Sequence, residues 1–270
     1  MFPVLIKIGP VTVHTYGFLF AVGVLAGILF SLRLAKKQGI DSKIMVDLFF
    51  YIIIIALLGA KIFLFITEMK FYLNNPGQIK TLITSGGIFY GGLIFAIIFA
   101  LWYIKKKNLN TKVIGDIIAP SLALGHFFGR LGCFSAGCCY GRPAGDSLIG
   151  LKFSSLYAHN HTGVPLNTAI YPTQLMESIL NLLNFIILIV VYKKKKIDGL
   201  IFPIYIFNYS VIRFFIEYFR GDTDRGYVFG GIDHAFTSLS VPQLISIFGI
   251  IISTILFLNY KKKGAQKNNP

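Results

Sequence analysis

Seven apolar runs constrain this chain more than any other feature. They lie at roughly Tyr16–Leu34, Val46–Ile66, Ile88–Ile104, Ile114–Phe134, Leu175–Tyr192, Leu200–Phe219 and Val241–Tyr260. Most approach the ~20 residues a helix needs to cross a bilayer. Lipid offers backbone groups no hydrogen-bond partner, so such runs must fold as helices that satisfy their own N–H and C=O groups. Composition agrees: 55% of the 270 residues are apolar and 14% are charged, against about 25% charged in ordinary soluble domains. The expected fold is an all-α membrane protein of seven transmembrane helices with an irregular loop region on the outer face. One integral domain over 1–260 precedes a basic tail at 261–270. The first fifteen residues hold one lysine and no clear small-residue cleavage site, so no removable signal peptide is expected.

The net charge of +15 raises the question of nucleic acid, and its distribution answers no. The lysines form short clusters between apolar runs. Arg33, Lys36, Lys37 and Lys43 follow the first run, and Lys105, Lys106, Lys107 and Lys112 the third. Lys193 to Lys196 follow the fifth, and Lys261, Lys262, Lys263 and Lys267 the seventh. The other side carries the sparser set Lys7, Lys70, Lys80, Arg142, Lys152, Arg220 and Arg225. The positive-inside rule then puts the N-terminus outside and the C-terminus in the cytoplasm.

The stretch Gly125–Pro143, GHFFGRLGCFSAGCCYGRP, breaks the apolar pattern. Gly125, Gly129 and Gly132 share one helical face, where small residues let another helix approach. Arg130 adjoins that face, and a guanidinium at membrane depth needs an anionic partner. Beyond Gly132 the glycines are too dense for a good helix, so a cavity-lining loop is expected. The stretch holds all three cysteines, Cys133, Cys138 and Cys139. They read as small packing residues, as a Cys133–Cys138 disulfide, as soft-metal ligands lacking a fourth partner at zinc spacing, or as a thiol carrier.

Other polar residues recur at the outer ends of the runs. His14 and Tyr16 close an amphipathic N-terminal segment at the first boundary, and Lys61 is placed to snorkel from the second run. SGGIFYGGLI, Ser85 to Ile94, flanks Phe89-Tyr90 with glycine pairs that permit close backbone approach or a strained turn. The connection from Gly145 to Tyr171 is expected to be irregular or short strand, and its His159-x-His161 is a poor metal pair. Gln174 and Glu177 share a helix face. Tyr209, Arg213, Glu217 and Arg220 make a single stripe at i, i+4, i+8 and i+11. Such a stripe forms either an interhelical Arg–Glu network or the wall of a polar cavity, and Arg130 at the same outer depth favours the cavity. The runs show no inverted repeat, which weakens a transporter reading.

Taken in order, HTYG (His14–Gly17), GGIFYGGLI (Gly86–Ile94), GRLGCFSAGCCYGRP (Gly129–Pro143), YPTQLMES (Tyr171–Ser178) and NYSVIRFFIEYFR (Asn208–Arg220) resemble the bacterial prolipoprotein diacylglyceryl transferases. The resemblance covers nearly the whole chain. It implies transfer of a diacylglyceryl group from phosphatidylglycerol to the lipobox cysteine of a prolipoprotein at the outer face of the plasma (inner) membrane, with no cofactor and no metal. Membrane lipid and prolipoprotein signal peptides are the implied partners. By resemblance Tyr16, Arg130, Tyr209 and Arg213 belong to the family's site, with Glu217 and Arg220 below them and Gln174 and Glu177 as its polar pair. The match is incomplete. The usual signature reads G-R-x-G-N-F-x-N-x-E, and here Cys133, Ala136 and Cys138 replace its Asn, Asn and Glu. Tyr90 and Tyr171 stand where many members have histidine.

The implied reaction is an alkyl transfer at C3 of glycerol: a thiol sulfur attacks and glycerol phosphate leaves. Arginine forks match phosphate oxygens and stabilise growing charge in a dry cavity. Arg130 and Arg213 are the expected clamp, with Arg220 a weaker candidate at the outer rim. The thiol, with an ordinary pKa of about 8.5, must lose its proton. Tyr90, His14 and bulk hydroxide all remain open as the base. Small-residue faces around Gly23, Gly27, Gly125 and Gly129 offer a lateral opening for lipid tails. Two alternatives stand beside this reading: a diverged paralogue acting on another thiol, and a non-enzymatic transporter or anion-binding protein.

Overall fold

The computed structural model describes residues 2–84, 86–222, 226–230 and 238–268. Ser85 and Arg225, named above, lie outside the described residues. The chain opens on a hairpin in which β1 (Val4–Ile8) pairs antiparallel with β2 (Val11–His14). The helices α1 (Thr15–Lys37) and α2 (Ser42–Thr67) follow, the latter capped by Asp41, whose carboxylate accepts from Lys43 N at 2.8 Å. After α2 the chain winds into α3 (Met69–Asn74), a 3-10 turn at Pro76–Gln78 and α4 (Ile79–Thr84). Next come α5 (Phe89–Lys106) and α6 (Thr111–Ala136).

The connection expected to be irregular or short strand holds the short strands β3 (Leu151–Lys152) and β4 (Ala169–Ile170), paired antiparallel, and between them the helix α7 (Leu156–Thr162). Ser155 caps α7 and Gly163 ends it at φ +71°. The remaining elements are α8 (Thr173–Lys194), α9 (Ile201–Glu217), the paired strands β5 (Tyr227–Phe229) and β6 (Leu239–Ser240), and α10 (Val241–Asn268). α1, α2, α5, α6, α8 and α10 are each long and apolar enough to cross a membrane; this is a multi-pass membrane protein. α9, on the sixth apolar run, has 17 residues and stops at Glu217, so the expected stripe loses its helical register before Arg220.

Two compact units divide the chain, Ser31–Ile114 and the remainder. Within Ser31–Ile114, α2 and α5 meet along a glycine seam. A Cβ on Gly91 would fall 2.2 Å from Phe63 Cβ, and one on Gly92 would fall 2.7 Å from the Ala56 carbonyl oxygen. The paired glycines of the sequence therefore serve close backbone approach.

In the other unit, a Cβ on Gly23 of α1 would come 2.8 Å from Phe128 Cβ, and one on Gly27 would come 3.1 Å from the Ser121 carbonyl oxygen. α1 thus closes directly on α6 at this level. Backbone contact leaves no space for an acyl chain at Gly23 and Gly27, which corrects the lateral opening expected there, whereas a Cβ on Gly129 would meet nothing within 4 Å. α6, α8 and α9 share a core of Ala119, Ala123, Leu188, Ile201 and Tyr205.

One end of this trio is tied by Asp116, which is fully buried. Its carboxylate accepts from Lys195 Nζ at 2.7 Å, Gly199 N at 2.8 Å, Ile201 N at 2.8 Å and Phe202 N at 3.3 Å. The first N–H groups of a helix have no partner of their own, and here a carboxylate from α6 supplies one to α9 while its charge suits that helix end. Burial lowers the Lys195 pKa, but the hydrogen bonds to Asp116 and Asp198 outweigh it and raise the group above its ordinary value.

Candidate active site

The opposite end of the same three helices carries the polar residues singled out by the sequence. Gln174, Glu177, Asn181 and Asn184 fall on one face of α8 at spacings of three, four and three, each 2% exposed or less. The face looks onto α6 and α9. Arg130 Nη2 lies 2.9 Å from Glu177 Oε1, and Arg213 Nη2 lies 2.8 Å from Glu217 Oε2, one turn along α9. The acids are more deeply buried than the guanidiniums they hold: 1% and 2% of side-chain surface exposed, against 18% and 14%.

Tyr209 joins the pair. Its hydroxyl is within hydrogen-bonding reach of Arg130, and it senses the charges of Glu177, Arg130 and Arg213. The two guanidiniums, from separate helices, therefore share a neighbourhood. His126 lies behind Tyr209, with ring centroids 4.6 Å apart, and its Nδ1 is 3.3 Å from the Tyr205 hydroxyl. Asn208 Nδ2 donates to Asn184 Oδ1 at 2.9 Å.

Polar capacity remains. Among the described residues, the buried atoms Arg213 Nη1, Gln174 Oε1, Asn181 Oδ1 and Asn184 Nδ2 have no hydrogen-bond partner. A buried polar atom left unpaired costs roughly 1–3 kcal/mol, and three of these four sit on the buried face of α8.

A strap bounds the site. Gly137, at φ +85°, ends α6, and the chain bends at Cys139, φ +60°, before running on to Pro143. Its backbone groups are held from several sides. Gln174 Nε2 donates to the Cys138 carbonyl and Thr173 Oγ1 to the Cys139 carbonyl, both at 2.8 Å. Thr162 Oγ1 donates to the Gly137 carbonyl at 3.2 Å. Arg142 N donates to Phe219 O at 2.9 Å, and Gly221 N to Tyr140 O at 3.0 Å. Gly141 is crossed so closely that a Cβ would lie 2.2 Å from the Tyr171 carbonyl oxygen. The loop expected after Gly132 begins only at Gly137, because α6 absorbs Cys133 to Ala136.

The three cysteines are free thiols, not a disulfide, and their sulfurs lie within 4.8 Å of one another. Cys139, at φ +60°, occupies a backbone region unusual for a side-chain-bearing residue. Its thiol is acidified first by hydrogen bonds from Cys133 and Cys138, then by the charges of Arg220 and Arg130.

The other expected residues fall in different places. Tyr16 packs on Gly132, its Cδ2 3.1 Å from where a Cβ would be, and it senses the three thiols and Arg130. His14 stacks on Tyr157 of α7 at 6.2 Å. Tyr90 opens α5 in the Ser31–Ile114 unit and is exposed. Arg220 is buried beyond the end of α9, not at an open rim, and its Nε donates to Asp222 Oδ1 at 2.7 Å. Lys61 donates to the Leu82 carbonyl at 2.8 Å. Sequence reasoning gave no role to His126, Asn181, Asn184 or Asn208. The periodic spacing of Asn181 and Asn184 from Gln174 and Glu177 was the signal that would have found two of them.

Comparison with known proteins gives a consistent answer. A family model described as prolipoprotein diacylglyceryl transferase matches residues 3–259. The chain is 35% identical over 257 residues to a phosphatidylglycerol–prolipoprotein diacylglyceryl transferase of Clostridium tetani, covering 95% of this chain and 97% of that one. It is 34% identical over 258 residues to the protein of that name from Staphylococcus aureus, covering 95% and 88%. For Lysinibacillus sphaericus the identity is 31% over 268 residues, covering 98% and 95%.

Proposed function

The chain belongs to the prolipoprotein diacylglyceryl transferase family, and from that premise we propose that its chemistry runs between Arg130 and Arg213. Its activity is that of a phosphatidylglycerol–prolipoprotein diacylglyceryl transferase. A cysteine thiol of the prolipoprotein attacks C3 of the lipid glycerol, the C–O bond to phosphate breaks, and glycerol phosphate departs with the electron pair.

The observation that carries the assignment is the unfilled Arg213 Nη1, buried beside a second guanidinium that shares Tyr209 as neighbour. A phosphodiester oxygen supplies the missing acceptor. As the C–O bond lengthens, negative charge gathers on the phosphate, and two preorganised guanidiniums in a dry site stabilise that charge more than they stabilise the bound lipid. Glu177 and Glu217 fix the forks, and Tyr209 donates at the junction. Gln174 and Asn181 orient the headgroup with their open oxygens.

The layout that goes with this reading has seven spans, with α9 as the sixth, and a single integral domain with a basic tail from 261 onward. The N-terminus lies outside and the C-terminus in the cytoplasm, as the lysine clusters indicate. That orientation turns the arginine site toward the outer face of the plasma membrane, where prolipoprotein signal peptides and phosphatidylglycerol meet. The test incubates purified protein in vesicles with labelled phosphatidylglycerol and a lipobox peptide. A thioether-linked diacylglyceryl peptide, found by mass spectrometry and lost in Arg213→Lys, is the expected product. Full turnover in that variant removes Arg213 from the mechanism.

A further inference from the structure

Cys133 and Cys138 stand where the family signature usually has an asparagine and the acid, Cys139 follows directly, and the structure gathers the three thiols at one point. Cys133 is in the last turn of α6, three residues and hence one face from Arg130. Cys138 and Cys139 follow the helix end, and the strap that carries them is fixed by Gln174 and Thr173 through both their carbonyls. The same α8 turn carries Glu177, the partner of Arg130. The thiol cluster and the arginine clamp therefore share a scaffold.

The three Sγ atoms lie within 4.8 Å of one another and all three residues are part-buried, neither sealed nor free in solvent. Thiolates bound to zinc at about 2.3 Å stand about 4 Å apart, so small side-chain rotations close the site on a tetrahedral ion. The unusual backbone of Cys139 turns its side chain toward the other two, a local cost consistent with a built site. Among the described residues the cluster offers three ligands. Three protein ligands and an open fourth position mark a catalytic zinc site, where a structural one is closed by four.

We propose that Cys133, Cys138 and Cys139 bind a zinc-class ion whose open position takes the lipobox thiol of the incoming prolipoprotein. This rests on the transferase reading and supplies what that reading lacks, a means of ionising the nucleophile. Coordination deprotonates a thiol outright, and the proton leaves to water. The metal-held sulfur then attacks C3 of the lipid glycerol, forming the C–S bond as the C–O bond breaks. The electron pair leaves on the phosphate oxygen beside Arg130 and Arg213. The thioether product, a weak ligand, dissociates. Tyr90 and His14 are then not needed as bases.

The experiment uses the full chain in detergent, reduced and loaded with Co(II) as a spectroscopic probe. A thiolate-to-cobalt charge-transfer band is expected, at about one ion per chain. A lipobox peptide with its cysteine should strengthen that band by about a third, as a fourth sulfur joins three, whereas the same peptide with serine should not. Cys133→Ser, Cys138→Ser and Cys139→Ser should each weaken cobalt binding roughly 100-fold. No thiolate band from the wild-type protein, or no response to the cysteine peptide, overturns the proposal without depending on how any variant folds. Thioether formation at an undiminished rate after chelation also overturns it and leaves the transferase reading intact. A peptide-responsive cobalt site in a protein that makes no thioether does the reverse.

Discussion

The two ends of the α6–α8–α9 trio carry similar residues put to opposite use. At one end Asp116 meets Lys195 and three backbone N–H groups, and both its oxygens are taken. At the other, Arg130 and Arg213 meet Glu177 and Glu217, yet Arg213 Nη1, Gln174 Oε1, Asn181 Oδ1 and Asn184 Nδ2 are left open among the described residues. Both ends bury charge. The saturated one is a joint that orients α9, and the unsaturated one keeps the polar capacity that we propose a lipid headgroup fills. Ion pairs in a membrane interior do not by themselves mark function; what marks it is hydrogen-bonding capacity the protein leaves unused.

Substitutions at each end sharpen this contrast. The largest effect on stability belongs to Asp116→Asn, which turns an acceptor into a donor facing Lys195 and Gly199. Unfolding in detergent should show a loss of about 3–5 kcal/mol, while turnover per folded molecule is kept. A large activity loss without destabilisation would erase the distinction between the two ends. Arg213→Lys should do the opposite. It retains the charge beside Glu217 but removes the fork, so turnover should fall about 100-fold with an unchanged melting temperature.

Gly141→Ala comes next. The new methyl has the Tyr171 carbonyl in its way, and overpacking of this kind costs about 1–3 kcal/mol. Limited proteolysis of the strap should accelerate accordingly. Ser178→Ala removes only the hydroxyl that donates to Phe127 O at 3.0 Å, an expected cost of about 1 kcal/mol measurable as a small shift in melting temperature.

The joint also carries a pH signature. The folded-state pKa of Lys195 is raised above the ordinary 10.5, so its contribution to stability is whole below that ordinary value. It is lost as pH climbs through the raised folded one. Melting temperature followed through the alkaline range should decline there in the wild-type protein and decline less in Asp116→Asn.

How far the sequence spoke follows the same division. Helices were legible because lipid allows so few other structures. The outer arginines were legible because a guanidinium in an apolar run must meet an anion or line a wet cavity. The carboxylate of Asp116 was not legible. Its partners lie 79 to 86 residues away, and nothing local announces them. Arg220 was misread because helical spacing was extended past Glu217, where the chain leaves the helix to pair with the strap. The thiols stayed open between packing, a disulfide, soft-metal ligation and a thiol carrier because C-x4-C-C looks like no familiar ligand set. They meet only because α6 ends at a glycine and the strap folds back.

That folding back has a mechanical consequence. Thr173, Gln174 and Glu177 occupy a single turn and a half of α8, and between them they grip the Cys139 carbonyl, the Cys138 carbonyl and the Arg130 guanidinium. Any tilt of that helix carries thiols and guanidinium together. Whatever gate admits lipid or peptide must therefore swing elsewhere, leaving the distance from sulfur to phosphate to be set by one rigid block.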